Sequence, residues 1–271
     1  MTTSYDRLKD RVAFVTGGGS GIGRAIARSF VEEGATVCLA GRNRENLAAA
    51  AAEFVAMGGK ALAIPMDIRR EQDVVDAVKT AVDAFGCIDI LVNNSGIGGP
   101  TKYVWDLELD EWNEILTVDL TGSMLASREV LRHMVPAGRG GVIISIGSEG
   151  GRSGDGRSGY RMRAGYCCAK MGIIGLTETL ARECGPHGIR VNCLTPAAVS
   201  GERFTGMIHD RADAAGVSFE EALKAEMKRY SLGRLIDDNE IGRAAVFLAS
   251  DESSAITGQT IPINCGMHMW G

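Results

Sequence analysis

The chain predicts an α/β fold, a parallel sheet of about seven strands with helices on both faces. Short apolar, β-branched runs alternate with longer stretches of helical periodicity from one end to the other, the signature of successive strand–helix–strand units. The first such run passes straight into Thr16-Gly17-Gly18-Gly19-Ser20-Gly21-Ile22-Gly23, a glycine-rich turn placed where a strand feeds a helix. No repeat, low-complexity tract or linker interrupts the alternation, so residues 1–271 read as one domain.

Taken in order, the strands are predicted at Val12 to Thr16, Thr36 to Ala40, Lys60 to Pro65, Ile88 to Val92, Gly141 to Ile146, Arg190 to Leu194 and Thr260 to Ile263. Each is a run of strand length, rich in residues that fit a buried pleated surface. The helical patterns between them fall at 22–33, 44–57, 71–85, 110–134, 164–184 and 238–249. Two stretches break the rhythm. Residues 149–165 hold six glycines, four arginines (152, 157, 161, 163) and two acids, and residues 197–232 follow the sixth strand with a short polar helix pattern around Phe219 to Arg229. Long loops beyond strand C-termini are where an open α/β sheet keeps its ligand site, so 197–232 is expected to be the substrate-loop region.

Composition excludes several classes. With 45% hydrophobic and 23% charged residues the chain can bury one large core. A net charge of -5 and no basic stripe argue against a nucleic-acid partner. No run of 18 apolar residues predicts a membrane span, and Met1 to Arg11 has no apolar leader-like segment, so a cytoplasmic location is expected. The seven cysteines (38, 87, 167, 168, 184, 193, 265) lack zinc-type spacing and are expected to be reduced; the four histidines (133, 187, 209, 268) are equally dispersed, and no metal is expected.

The glycine turn has the setting a dinucleotide fingerprint requires. Glycines permit the tight turn and close backbone approach, while the N–H groups and dipole of the following helix hold a pyrophosphate. An acid that would bind the ribose 2′-hydroxyl belongs at the end of the second strand, where this chain has Ala40-Gly41-Arg42-Asn43. Without a carboxylate there, the Arg42 guanidinium is suited to a 2′-phosphate. NADP(H) is therefore preferred, with NAD(H) second.

Further along, Tyr166-Cys167-Cys168-Ala169-Lys170 places a phenol and an ammonium four apart on one helical face. A free phenol titrates at about 10, and a fixed cation beside it favours the phenolate, which makes the pair proton-transfer equipment near neutral pH. The pattern alone also fits an exposed helix with a snorkelling lysine. Ser148 upstream adds a second hydrogen-bonding group.

With the glycine motif, Asp67, Asn93-Asn94-Ser95-Gly96, Ser148, Tyr166 to Lys170 and Pro196 in this order, the chain resembles the short-chain dehydrogenase/reductase family over nearly its whole length, ending in Thr257-Gly258-Gln259-Thr260. The resemblance implies a Rossmann-type doubly wound sheet and a nicotinamide cofactor. It implies that Gly17, Ser20, Gly21, Ile22 and Gly23 form the pyrophosphate loop, that Asp67 and Ile68 flank the adenine, and that Asn94 to Gly96 steadies the sheet beside the cofactor ribose. It makes Tyr166 the catalytic acid/base, Lys170 the ligand of the nicotinamide ribose that helps the phenol ionise, and Ser148 the hydrogen-bond partner of the substrate oxygen. Pro196 and Val199 fall where the family's Pro-Gly turn meets the nicotinamide.

This sequence departs from the pattern at several positions. Asp119 stands where the family has an Asn that fixes a water in the proton relay; a carboxylate there adds negative charge near Lys170. Ala197 replaces the usual Gly, and Ile263-Asn264-Cys265-Gly266 softens the closing Val-Asp-Gly-Gly. Tyr166 lies 18 positions after Ser148, longer than is usual, because of the Gly/Arg-rich stretch. Tyr160 is a decoy, since Ala164 rather than a cation follows it by four. The arginines of that stretch either meet an anionic substrate or belong to a solvated or subunit-contact loop, and the second reading is favoured.

The function these residues favour is hydride transfer between NADP(H) and a ketone or secondary alcohol. A non-catalytic dinucleotide-binding sensor or scaffold is the alternative, since fold does not fix function, and an epimerase or dehydratase is a third. Substrate choice is expected to lie in Ala198 to Leu232, with Arg203, Phe204, Met207, Ile208 and His209. The resemblance suggests 3-oxoacyl thioesters, sugars or polyols, cyclic ketones or short sulfonates, and a homotetramer or homodimer built through 110–134 and 164–184.

Overall fold

The structure is a computed structural model, which describes residues 6–149 and 159–267. Its sheet is built from β1 (Val12–Thr16), β2 (Thr36–Gly41), β3 (Lys60–Pro65), β4 (Ile90–Asn93), β5 (Gly141–Ile146), β6 (Ile189–Pro196) and β7 (Thr260–Ile263), in the order β3-β2-β1-β4-β5-β6-β7 with every pairing parallel. Winding runs outward in both directions from the β1–β4 neighbours, so the crevice beyond their C-terminal ends is the topological switch point. The register there pairs Ala13 with Ile90 and Val15 with Val92.

Strand alternation makes two cores from one sheet. Ala13 and Val15, with Val37, Leu39, Val92 and Ile144, face the layer of α1 (Gly21–Glu32), α2 (Arg44–Ala56) and α9 (Asp238–Ala249), where Phe30, Phe54 and Val246 are buried. Val12 and Phe14, with Leu91, Ile143 and Val191, face α3 (Glu71–Phe85) and α5 (Gly122–Ala137) through Val74, Val78, Val130 and Met134. The helix α1 approaches α9 closely enough that a Cβ on Gly242 would lie 2.2 Å from Ser29 Oγ.

Two predictions need correction. The segment 110–134 is not one helix: α4 (Leu109–Leu116) and α5 are joined by a π-turn at Thr117–Thr121, whose extra residue re-aims the side chains within it. The 197–232 region holds α7 (Glu202–Ala215) as well as α8 (Phe219–Met227). The predicted 164–184 helix is α6 (Ala164–Cys184). Strand ends moved by a few residues where partners extend the ladder: β4 starts at Ile90, and β6 runs on to Pro196 because β7 pairs with it through Ile263. Among the described residues no helix is long and apolar enough to cross a membrane.

Candidate active site

At the switch point, Thr16 ends β1 and its hydroxyl organises both edges of the crevice. Thr16 Oγ1 donates to the Val92 carbonyl (3.3 Å) and accepts from the backbone N–H groups of Asn94 (2.9 Å) and Ser95 (3.0 Å). Asn94 returns the contact, its Nδ2 donating to the carbonyl oxygens of Thr16 (3.0 Å) and Gly17 (3.3 Å). Gly17 turns the chain at φ +66°, and a Cβ on Gly23 would lie 2.4 Å from both Gly17 O and Asn94 Nδ2.

The start of α1 is open. Its N-cap Ser20 makes no side-chain capping bond, and a Cβ on Gly21 would meet nothing within 4 Å. By contrast Asn43, Ser218 and Asp237 cap α2, α8 and α9 with their own side chains. An uncapped helix N-terminus beside tightly packed glycines fits a pyrophosphate. Arg42 is exposed just past β2, two residues beyond the β1-paired Ala40. Asp67 is gripped by Arg69, whose Nε lies 2.9 Å from Asp67 Oδ1; that pairing, with a smaller contribution from Arg42, holds the Asp67 carboxyl below its ordinary range. Ile68 is buried, and its side chain occupies the space that Gly122 leaves by lacking a Cβ.

At the other side of the crevice, α6 carries Tyr166 half-buried and Lys170 buried. Lys170 Nζ donates to the Ile146 carbonyl at 3.1 Å, lies 5.8 Å from the Tyr166 ring centroid and stands 3.4 Å from Asp119 Oδ2. Asp119 sits in the π-turn with its side chain fully buried, and its Oδ1 accepts from Ile97 N at 2.7 Å. A Cβ on Gly96 would come within 3.2 Å of Asp119 Oδ2 and 3.3 Å of Lys170 Nζ, so Gly96 is the gap that lets the two meet. Ser148 is buried two residues beyond Ile146, at the end of β5. Pro196 closes β6, its carbonyl accepting from Glu149 N at 3.3 Å, and Val199 forms an isolated bridge to Ile236.

Three features escaped the sequence reading. Glu149, next to Ser148, is fully buried; its Oε1 accepts from Thr195 Oγ1 at 3.4 Å, and burial pushes its carboxyl up to about 7. Arg161 is exposed, where it bonds the Tyr103 hydroxyl and lies over that ring, while the half-buried Arg163 donates from Nη2 to the Gly98 carbonyl at 2.7 Å with its guanidinium 5.0 Å from the Tyr166 centroid. Arg152 and Arg157 lie outside the described residues. Tyr160, the decoy, is exposed, and its backbone N–H donates to Cys167 Sγ at 3.1 Å. In the substrate-loop region Phe204 and Ile208 are buried, whereas His209 is exposed and packs at a tilt against Phe219, ring centroids 4.5 Å apart.

A doubly wound sheet with an uncapped glycine cradle at its switch point defines a nucleotide-binding protein. The family model described as Enoyl-(Acyl carrier protein) reductase matches residues 17–268. The chain belongs to the short-chain dehydrogenase/reductase family. It is 38% identical over 262 residues to the 3-oxoacyl-(acyl-carrier-protein) reductase FabG of Vibrio harveyi, covering 97% of this chain and 99% of that one. Among solved structures, an NAD+-bound xylitol dehydrogenase superposes with TM-score 0.87 at 31% identity, covering 94% of this chain and 98% of that one. A variant of actinorhodin polyketide ketoreductase with NADPH gives 0.88 at 30%, covering 95% and 97%.

Proposed function

We propose that this enzyme transfers hydride between NADP(H) and a ketone or secondary alcohol, with Tyr166 as the acid/base. The observation that carries it is the Tyr166–Lys170 pair, with Lys170 tied to Ile146 at the end of β5, two residues before the buried Ser148. Gly17, Ser20, Gly21, Ile22 and Gly23 receive the pyrophosphate, and Asp67, Ile68, Asn94, Gly96, Pro196 and Val199 line the rest of the dinucleotide's path. Arg42, exposed past β2 with no carboxylate at its own strand end, selects the 2′-phosphate. When bound, the cofactor supplies the hydride.

The chain's residues manage the charge that follows. As a carbonyl carbon accepts hydride, negative charge grows on its oxygen, and Tyr166 Oη gives that oxygen its proton while Ser148 Oγ donates a second hydrogen bond. In the reverse direction the Tyr166 phenolate takes the alcohol proton. Lys170 holds the nicotinamide ribose and favours the phenolate, and Asp119 stands behind Lys170 in the relay. The exposed apolar residues Val104, Trp105, Leu109, Met124 and Met171 lie on or beside α4, α5 and α6, and support a homotetramer or homodimer through those helices.

A spectrophotometric screen of NADPH and NADH oxidation against a panel of neutral and acidic carbonyl compounds tests the reading, with Tyr166→Phe as the control. Wild type should turn over NADPH faster than NADH. Tyr166→Phe should still bind NADPH while losing about 100-fold to 10,000-fold in kcat. Undiminished activity in Tyr166→Phe would overturn the mechanism.

A further inference from the structure

Among the described residues two cations flank the Tyr166 ring, and only one of them belongs to the Tyr-to-Lys pair. Lys170 Nζ is 5.8 Å from the centroid, and the Arg163 guanidinium is closer, at 5.0 Å. Lys170 does not bring its whole charge to the ring. Asp119 Oδ2 stands 3.4 Å from Nζ with both side chains buried, and an ion pair so placed is felt from outside largely as a dipole. An amide at position 119 would leave the ammonium charge intact.

Arg163 is built in firmly. Its Nη2 donates to Gly98 O at 2.7 Å, and Lys102 N donates to Met162 O at 3.0 Å, so the segment before α6 is tied to the chain leaving β4. Arg163 Nε is buried and has no hydrogen-bond partner, which leaves the aromatic face as a neighbour of that half-buried cation. Among the described residues, the other titratable groups near this side include Tyr160 and Cys167 around the start of α6, Glu149 at the end of β5, and Arg229 and Tyr230 beyond Tyr160; Tyr160, Cys167, Glu149 and Tyr230 add negative charge when they ionise, and Arg229 is a further cation. Around the phenol, Asp119 therefore subtracts a charge relative to the family pattern and Arg163 adds one.

We propose that Arg163 is a positioning residue for Tyr166: laid on the ring and tied to Gly98, it supplies the cation beside the phenol that Asp119 withdraws from Lys170. This rests on Tyr166 being the acid/base. Its consequence is a coupling between positions 119 and 163 that neither has with the cofactor cradle.

The test compares Arg163→Met, Arg163→Gln, Arg163→Lys and the double variant Asp119→Asn with Arg163→Met. Two readouts are taken: the pH dependence of alcohol oxidation, and the titration of 13Cζ-labelled tyrosine by NMR in the unliganded enzyme, where the chain's five tyrosines allow assignment through Tyr166→Phe. Oxidation needs the phenolate, so loss of a stabilising cation moves the acid limb to higher pH. The expected shift is about half to one pH unit for Arg163→Met and Arg163→Gln, in both readouts. Arg163→Lys should recover most of it, and adding Asp119→Asn to Arg163→Met should bring the limb back down.

An Arg163→Met enzyme that loses turnover with both the limb and the Cζ midpoint unmoved would overturn the proposal, as would Arg163→Lys displaced as far as Arg163→Met. Should Arg163→Met fail to fold by circular dichroism, the Gln and Lys variants carry the same comparison. Activity surviving in Tyr166→Phe is a separate result, which removes the acid/base reading on which the proposal stands.

Discussion

Where β1 meets α1 the cradle is made of backbone: Gly17 turns at positive φ, Gly23 leaves no room for a side chain, and Thr16 and Asn94 fasten one rim to the other. At the ends of β5 and β6 the site is made of side chains instead, and charged ones: Lys170, Asp119, Arg163 and Glu149. The two ends answer to different physics. Close contacts between glycine backbone and its neighbours tolerate no change of shape, so the cradle is generic and stiff. Buried charges tolerate change of shape but not of balance, so the substrate end is where this chain differs from its family pattern.

The largest break in that contrast should come from Gly23→Ala. A methyl 2.4 Å from Gly17 O and Asn94 Nδ2 must push the rim open. Overpacking of this kind costs about 1–3 kcal/mol, and NADPH affinity should fall by up to about 100-fold with a lowered Tm. A melt and a fluorescence titration both matching wild type would mean the cradle is softer than its geometry implies. Next comes Arg42→Ala, which removes only a charged contact at the cradle's edge. NADPH affinity should drop about 10-fold to 100-fold with NADH affinity unchanged, the range of one charge-assisted hydrogen bond. Equal losses for both cofactors would take the 2′-phosphate role away from Arg42.

The smallest effect belongs to Glu149 and appears as a pH dependence of stability. Its carboxyl is raised from 4.5 to about 7 by burial, so the folded protein holds that proton more tightly than the unfolded chain does. Stability from this group is full below about 4.5 and is lost as the pH rises to about 7, after which the loss is constant. Glu149→Gln removes the dependence, and its Tm advantage over wild type should grow between pH 5 and pH 8 by about a few degrees. An advantage that stays flat across this range would show that burial does not govern the carboxyl.

Much of the first region was legible in the chain. The strand, turn and helix around Thr16 to Gly23 follow from local patterning, and β1, β3, β5 and β7 fall on the predicted residues. The same locality explains the misses. A π-turn adds one residue to an otherwise helical pattern, so 110–134 looked continuous although Asp119 had to turn inward to meet Lys170. Glu149 reads as a polar loop residue, because only the convergence of the ends of β5 and β6 buries it. Arg163 looks solvated until Gly98 is brought against it from 65 positions away.

The succession of strands and helices, the glycine cradle and the Tyr166–Lys170 spacing follow from residues near one another in the chain, and the family follows from the linear order of such local motifs. The tertiary structure decided which charges share a buried space: Asp119 with Lys170, Arg163 with Tyr166, and Glu149 with Thr195. Electrostatic balance depends on distance and desolvation, and neither exists until the sheet has wound and its strand ends have met.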